Sequence, residues 1–191
     1  FNALNIQADN RVTINSNLTT DTGSLSIDGD ANSMVDGNDD VILSAGITLS
    51  AATDLTLAGT SGLNAAGDLF LVAGGDLNVN DTLNVTGDLT ITNGNNNGIG
   101  LGDTTIVGGL NFSGADLQNI TAANLTLVTG GSITVDNITA ANSNNVSGTV
   151  TLDAVGSVSF ASNDSTFNTL DVQAEDGVVI NADLTTDTGA I

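Results

Sequence analysis

AAGDLFLVAGGDLNVNDTLNVTGDLTI, residues Ala65–Ile91, is the stretch on which the fold turns. Leu69–Leu71, Leu77–Val79, Leu83–Val85 and Leu89–Ile91 are apolar-x-apolar triplets, and Gly-Asp-Leu opens three of them, from Gly67, Gly75 and Gly87. A period of two is the mark of a β-strand, whose first and third side chains point to one face and whose second points to the other. The Gly, Asp, Asn, Ser and Thr residues between triplets favour turns, because Gly permits positive φ and Asp and Asn side chains bond nearby backbone. No window shows helical spacing.

Working outward, similar triplets begin at Leu4, Leu25, Ile47, Leu69, Leu89, Leu110, Leu125, Val150 and Leu170, mostly 20–22 residues apart. A second triplet usually follows eight residues later, as at Val12, Leu55, Leu77, Ile133, Val158 and Val178. A third apolar position comes about six residues on, at Leu18, Leu63, Leu83 and Leu184. One such turn cannot bury its own apolar side chains, but stacked turns can, with strands pairing above and below at about 4.8 Å. The expectation is an all-β parallel β-helix (β-solenoid) of about 21 residues and three short strands per turn, roughly nine turns in all. Leu4, Leu25, Ile47 and their successors are then expected to form one interior column. The absence of proline agrees, since proline deletes a ladder donor.

A longer period overlies the short one. FNALNIQADNRVTINSNLTTDTGSL (Phe1–Leu25) aligns without a gap on FNTLDVQAEDGVVINADLTTDTGAI (Phe167–Ile191), with 14 of 25 positions identical at an offset of 166. Residues 1–191 therefore read as a single continuous solenoid segment, 1–166 as one long repeat of about eight turns, and 167–191 as the start of the next. The two LTTDTG copies are expected at the same corner of equivalent turns. The chain is expected to be a window on a longer protein, with any secretion signal outside it.

Composition excludes several chemistries. There is no Cys or His, so disulfides, thiolate or imidazole zinc sites and His-assisted nucleophiles cannot be built. Arg11 is the one cation among 22 carboxylates, and a formal net charge of −21 repels nucleic acid. No apolar run is long enough for a membrane-spanning helix.

The densest acidic cluster is DGDANSMVDGNDD (Asp28–Asp40). Asp28, Asp30, Asn32, Asp36 and Asp39 fall at positions 1, 3, 5, 9 and 12 of a calcium-loop frame, which makes them candidate oxygen ligands for calcium. Ser33 stands where that frame wants Gly, and Asp39 where it wants a bidentate Glu. A solvated acidic loop is the plain alternative, and no cofactor is required. Asp21, Asp68, Asp76, Asp88, Asp103, Asp153 and Asp187 read as turn residues bonding their own turns. Thr13, Thr48, Thr56, Thr90, Thr126, Thr134 and Thr151 sit at triplet centres, facing solvent. Nine N-x-S/T sequons include Asn17, Asn84, Asn119, Asn124 and Asn137, and outward Phe70 is a candidate lateral contact. Asp39 and Asp40 could be cast as hydrolytic carboxylates, but no sugar-stacking aromatic accompanies them. No catalytic residue is expected.

The Ala65–Ile91 pattern resembles the repeat region of filamentous haemagglutinin-like exoproteins and related autotransporter-type bacterial adhesins. That resemblance implies a right-handed β-helical shaft, extracellular or cell-surface localisation, and roles in adhesion, aggregation or matrix formation. The expected function is that of a structural segment of a long secreted or surface fibre. The expected partners are adjacent repeats of the same chain stacked end to end, and laterally associated shafts, with no nucleic acid and no membrane insertion. An adhesin shaft that itself binds carbohydrate or calcium is the alternative, and a β-helical polysaccharide hydrolase a remote one.

Overall fold

Each triplet becomes a short strand because it has one apolar side to bury and turn residues at both ends. The computed structural model describes residues 1–34 and 37–191. The strands come in groups of three. The first groups are β1 (Leu4–Gln7), β2 (Arg11–Ile14), β3 (Leu18–Thr19), then β4 (Leu25–Asp28), β5 (Asp40–Leu43), β6 (Ile47–Ala51). They continue as β7 (Leu55–Ala58), β8 (Leu63–Ala65), β9 (Leu69–Ala73), and β10 (Leu77–Val79), β11 (Leu83–Val85), β12 (Leu89–Asn93). The middle is less regular: β13 (Ile99–Gly102), β14 (Leu110–Phe112), α1 (Gly114–Gln118), β15 (Ile120–Thr121), β16 (Leu125–Thr129). After β17 (Ile133–Asp136) and α2 (Ala140–Ser143) come β18 (Val150–Ala154), β19 (Val158–Phe160), β20 (Ser165–Phe167), β21 (Leu170–Ala174), β22 (Val178–Ile180) and β23 (Leu184–Thr186).

Up to β12 every third strand pairs, and every pairing among the named strands of the whole stack is parallel. The sheet orders are β1-β4-β7-β10, β2-β5-β8-β11-β15 and β3-β6-β9-β12-β16-β18-β21, with β14-β13-β17-β19-β22 and β20-β23 completing the set. This is a parallel β-solenoid. Strands face each other like on like: Leu25 with Leu55 and Ile27 with Leu57 on one sheet, Leu69 with Leu89 and Leu71 with Ile91 on another. Those inward side chains are fully buried and belong to one apolar cluster running from Val12 to Leu170, aliphatic apart from Phe112, Phe160 and Phe167.

The interior column differs from expectation. Leu4 pairs with Leu25, but Leu25 pairs with Leu55, while Ile47 pairs with Leu69 on a different sheet. Partners lie from 11 residues apart (Ile99 to Leu110) to 37 apart (Leu83 to Ile120), so a uniform period of about 21 does not hold. The long β4–β5 connection is the cause: 22 residues after Leu25 the chain has reached only the third strand of the same group. An Ile-x-Leu triplet looks the same on any sheet.

The same logic separates the two sequence copies. β21 is the counterpart of β1 at the 166-residue offset, yet β1 lies in the sheet of β4 and β21 in the sheet of β3. The LTTDTG copies are therefore not at the same corner of the solenoid.

Two short helices also depart from the all-strand reading. Ser113 caps α1: its Oγ accepts the Asp116 N–H at 3.1 Å, and the Asp116 carboxylate accepts the Ser113 N–H at 3.3 Å. Leu117 plugs the core, fully buried. Asp116 also accepts the Val79 N–H at 2.7 Å, and Asn119 Nδ2 donates to the Val79 carbonyl at 2.6 Å. Side chains of the α1 segment thus satisfy the edge of β10 where a strand would otherwise lie. In α2, the Thr139 N–H donates to Asn142 Oδ1 at 2.9 Å.

Candidate functional site

The acidic loop leaves β4 and enters β5, and most of its oxygens are committed locally. Asp28 Oδ1 accepts the Asp30 N–H at 2.9 Å, and Asn32 Oδ1 accepts the Met34 N–H at 2.8 Å. Both are turns of the Asx type, in which a side-chain oxygen stands in for a backbone carbonyl. Asp30 is 4% exposed; its Oδ2 accepts the Thr60 hydroxyl from the next level, and its Oδ1 has no hydrogen-bond partner among the described residues. Asp39 is buried at a φ of 40°, and its carbonyl accepts the Ser61 N–H at 3.0 Å. Asp36 lies outside the described residues. Among the described residues no group of three or more carboxylates is gathered closely enough to hold a metal ion.

What the sequence reading missed is the ion pair closing the loop. Arg11 on β2 and Asp40 on β5 are in register, and Nε donates to Oδ1 at 2.6 Å while Nη2 donates to Oδ2 at 3.0 Å. The hydrogen bond to Asp40 raises the Arg11 pKa above its ordinary value. The fork geometry suits a guanidinium on a carboxylate. Being the single cation was the available signal for Arg11, but nothing in the sequence named Asp40 over its acidic neighbours. The pair also fixes Asp40, one of the two carboxylates considered for hydrolysis, in a structural contact.

The corner aspartates bond the neighbouring level more than their own turn. Asp54 Oδ1 accepts the Asp76 N–H at 2.9 Å, and Asp68 Oδ1 accepts the Asp88 N–H at 3.0 Å. The second series continues when Asn124 donates to Asp88 at 2.8 Å and accepts the Thr149 N–H at 2.9 Å. Elsewhere Asn17 serves Thr48, Ser132 serves Ser157, and Asp164 serves Asp183, at 2.8 to 3.1 Å. A carboxylate or amide oxygen at a corner is thus a vertical clasp between levels, a role that needs acceptors and explains why Asp and Asn recur there.

Those clasps also occupy the sequons. Asn17, Asn84, Asn119, Asn124 and Asn137 all hydrogen-bond to an adjacent level through their amides. The threonines divide among sheets. Thr48, Thr90, Thr126 and Thr151 share one outward column, with Phe70, 39% exposed, between the first two. Thr13, Thr56 and Thr134 lie on other sheets. The strand faces are therefore mostly uncharged, with Arg11, Asp153 and Asp171 among the exceptions, and acidic corners lie between them. No helix among the described residues is long and apolar enough to cross a membrane. Compared with protein-family models, with curated proteins and with solved structures, the chain matches none.

Proposed function

We propose that this chain is a structural segment of a long secreted or cell-surface fibre, a stiff shaft that carries or spaces other parts of the molecule. The observation that carries this reading is the stacking itself: polar side chains are spent on clasping levels together, and the buried volume is filled by apolar columns. Connections between parallel strands of one sheet are overwhelmingly right-handed, which favours a right-handed coil. From β1 to its repeat counterpart β21 the chain advances six full levels and two further strands. Each 166-residue repeat then adds about 32 Å of shaft, at about 4.8 Å per level, and returns one sheet out of phase. Adjacent repeats stacked end to end are its natural partners.

The test is to express residues 1–166 as one, two and three tandem copies and measure particle length by electron microscopy. Rods that lengthen by about 32 Å per copy support the shaft. Particles that broaden without lengthening overturn it.

A shaft that binds calcium through Asp28, Asp30, Asn32, Asp36 and Asp39 is a second reading. It draws on the buried, unpartnered Oδ1 of Asp30, which a cation would satisfy. Thermal melts in chelator and in calcium should then differ by more than melts in matched magnesium. Equal curves dispose of it.

A further inference from the structure

One level of the stack is interrupted by extra sequence. Strands β6, β9, β16, β18 and β21 share a sheet, and each is followed eight residues on by the strand that opens the next level: Ile47 by Leu55, Leu69 by Leu77, Leu125 by Ile133, Val150 by Val158 and Leu170 by Val178. β12, in the same sheet, breaks the rule. The level that lays β15 on β11 and β16 on β12 opens with β14, and Leu110 comes 21 residues after Leu89 where the others need 8, an excess of 13. Elsewhere three residues make this connection, as in Gly74-Gly75-Asp76 and Gly130-Gly131-Ser132. Without Asn95–Val107 it would read Gly94-Gly108-Gly109. Those 13 residues are a guest in a regular level: they supply β13, an additional strand between β14 and β17, and a flap beside it.

The flap is pinned at Ile106. Asn111 on β14 accepts the Ile106 N–H at 2.7 Å and donates to the Ile106 carbonyl at 3.3 Å. Glycines let the flap lie close against the strands: a Cβ on Gly100 would stand 3.0 Å from the Thr104 carbonyl, and one on Gly109 2.7 Å from Ile106 Cγ2. Between the flap, β10 and α1 opens a cleft of about 190 Å³ whose polar walls include Asp76, Asn78, Thr104, Thr105, Asn111 and Asp116. Most corner side chains of the stack are spent on clasps. Here the side chains of Asn78, Thr104 and Thr105 have no hydrogen-bond partner among the described residues, and Asp76 commits only Oδ1, which accepts Asn111 Nδ2 at 2.9 Å.

We infer that this cleft is a binding site for a neutral, hydroxyl-rich ligand, a single sugar ring of a glycan. Insertions in repeat architectures gather on one face and commonly build its binding surface. Charge narrows the ligand class: Asp76 and a formal net charge of −21 repel anions. A metal ion finds too few ligands, because Asp116 already accepts the Val79 N–H at 2.7 Å, the Ser113 N–H at 3.3 Å and the Ser113 hydroxyl, which leaves Asp76 alone. An ammonium ligand finds no second free carboxylate, and the ring of Phe112 is 1% exposed, in the core. What converges on the cleft is a carboxylate oxygen, an amide and two hydroxyls, a set that matches ligand hydroxyls able both to donate and to accept. The volume lies below the roughly 300–1,000 Å³ of pockets that enclose drug-sized molecules, so one ring enters and the rest of a glycan lies outside. With so few contacts and no aromatic floor, the Kd for a single ring is set at about 1–10 mM.

The test is an NMR titration of the isotope-labelled chain with methyl glucoside, methyl galactoside and methyl mannoside. At least one should shift the Asn78, Thr104 and Thr105 signals together, saturating at about 1–10 mM. Asp76→Asn keeps an acceptor for Asn111 but loses the charge, so binding should weaken about fivefold. Deleting Asn95–Val107 should leave a folded β-rich chain by circular dichroism and abolish the shifts. Should that variant not fold, Thr104→Val combined with Thr105→Val removes two hydroxyls from the same wall and should weaken binding by at least about fivefold. No saturable shift up to about 100 mM, ten times the expected range, overturns the inference. So do equal shifts with glycerol, a stronger response of the same signals to calcium chloride alone, or unchanged affinity in the double threonine variant. None of these outcomes touches the tandem-repeat test of the shaft, which reads length and not binding.

Discussion

Residues 1–25 and 167–191 share 14 of 25 letters, and their corners make the same bonds. In the first, the Asp21 N–H reaches the Phe1 carbonyl, and the Thr22 and Gly23 N–H groups reach the Asn2 carbonyl, at 2.6 to 3.2 Å. In the second, Asp187, Thr188 and Gly189 repeat this on Phe167 and Asn168 at 2.8 to 3.2 Å. The Thr20 hydroxyl donates to the Gly23 carbonyl at 2.6 Å and the Thr186 hydroxyl to the Gly189 carbonyl at 2.7 Å. Yet the copies sit on different sheets and at opposite ends of the stack. Corner geometry is set by local sequence, whereas which sheet a strand joins is set by how many strands precede it.

The equivalence makes paired substitutions informative, because identical letters meet different burial. The largest difference is expected at Ile14 and Ile180, which are 7% and 58% exposed. Ile14→Ala removes packing under Leu43, its partner in register, and should cost about 2–4 kcal/mol in urea unfolding. Ile180→Ala, at a surface that is already wet, should cost less than about 1 kcal/mol. Similar losses would mean that Ile180 is covered in solution.

Next come the glycines. A Cβ on Gly23 would stand 2.8 Å from the Ala3 Cβ and 3.1 Å from the Asn2 carbonyl, in the middle of the corner contact. Gly23→Ala should cost about 1–3 kcal/mol through overpacking. At Gly189 the clash is with the Thr169 side chain, but the segment is exposed and can lift, so the same change should cost below about 1 kcal/mol. Hydrogen exchange of the Gly23 and Gly189 amides, both bonded to Asn carbonyls in the level below, reads each effect locally.

The alternation of Leu69–Leu71 and its kin was enough to place strands, inward faces and parallel stacking, since a short strand with one apolar side has few other ways to bury it. The level period was not legible. Every sheet receives the same aliphatic triplets, so the interval from Leu25 to Ile47 looks like a full turn when it spans only part of one. The helices were partly legible: Ser113 to Asp116 has capping-box spacing, but α1 is five residues long and carries no periodic stripe. For the acidic loop, composition flagged the cluster, while the partners of Asp30 and Asp40 come from neighbouring levels. Asp30 meets Thr60 across 30 residues and Asp40 meets Arg11 across 29, distances at which no local pattern reports.

The smallest effect should separate the two copies of the corner threonine. Thr20 is 3% exposed, and its hydroxyl both donates to the Gly23 carbonyl and accepts the Ala52 N–H at 3.2 Å from the level above. Thr20→Val keeps the shape and β-branching but strands a buried N–H and a carbonyl, so a loss of about 1–2 kcal/mol is expected. Thr186 makes only the donor bond and is half-buried, with water free to replace the hydroxyl, so Thr186→Val should fall within about 0.5 kcal/mol of wild type. Urea midpoints of the two single variants and the double variant give the contrast, and the double should equal the sum because the sites share no partner. Equal costs at both positions would show that the hydroxyl acts through its own corner alone. The stack above Thr20, and with it the idea that levels are clasped vertically by corner side chains, would then contribute nothing measurable.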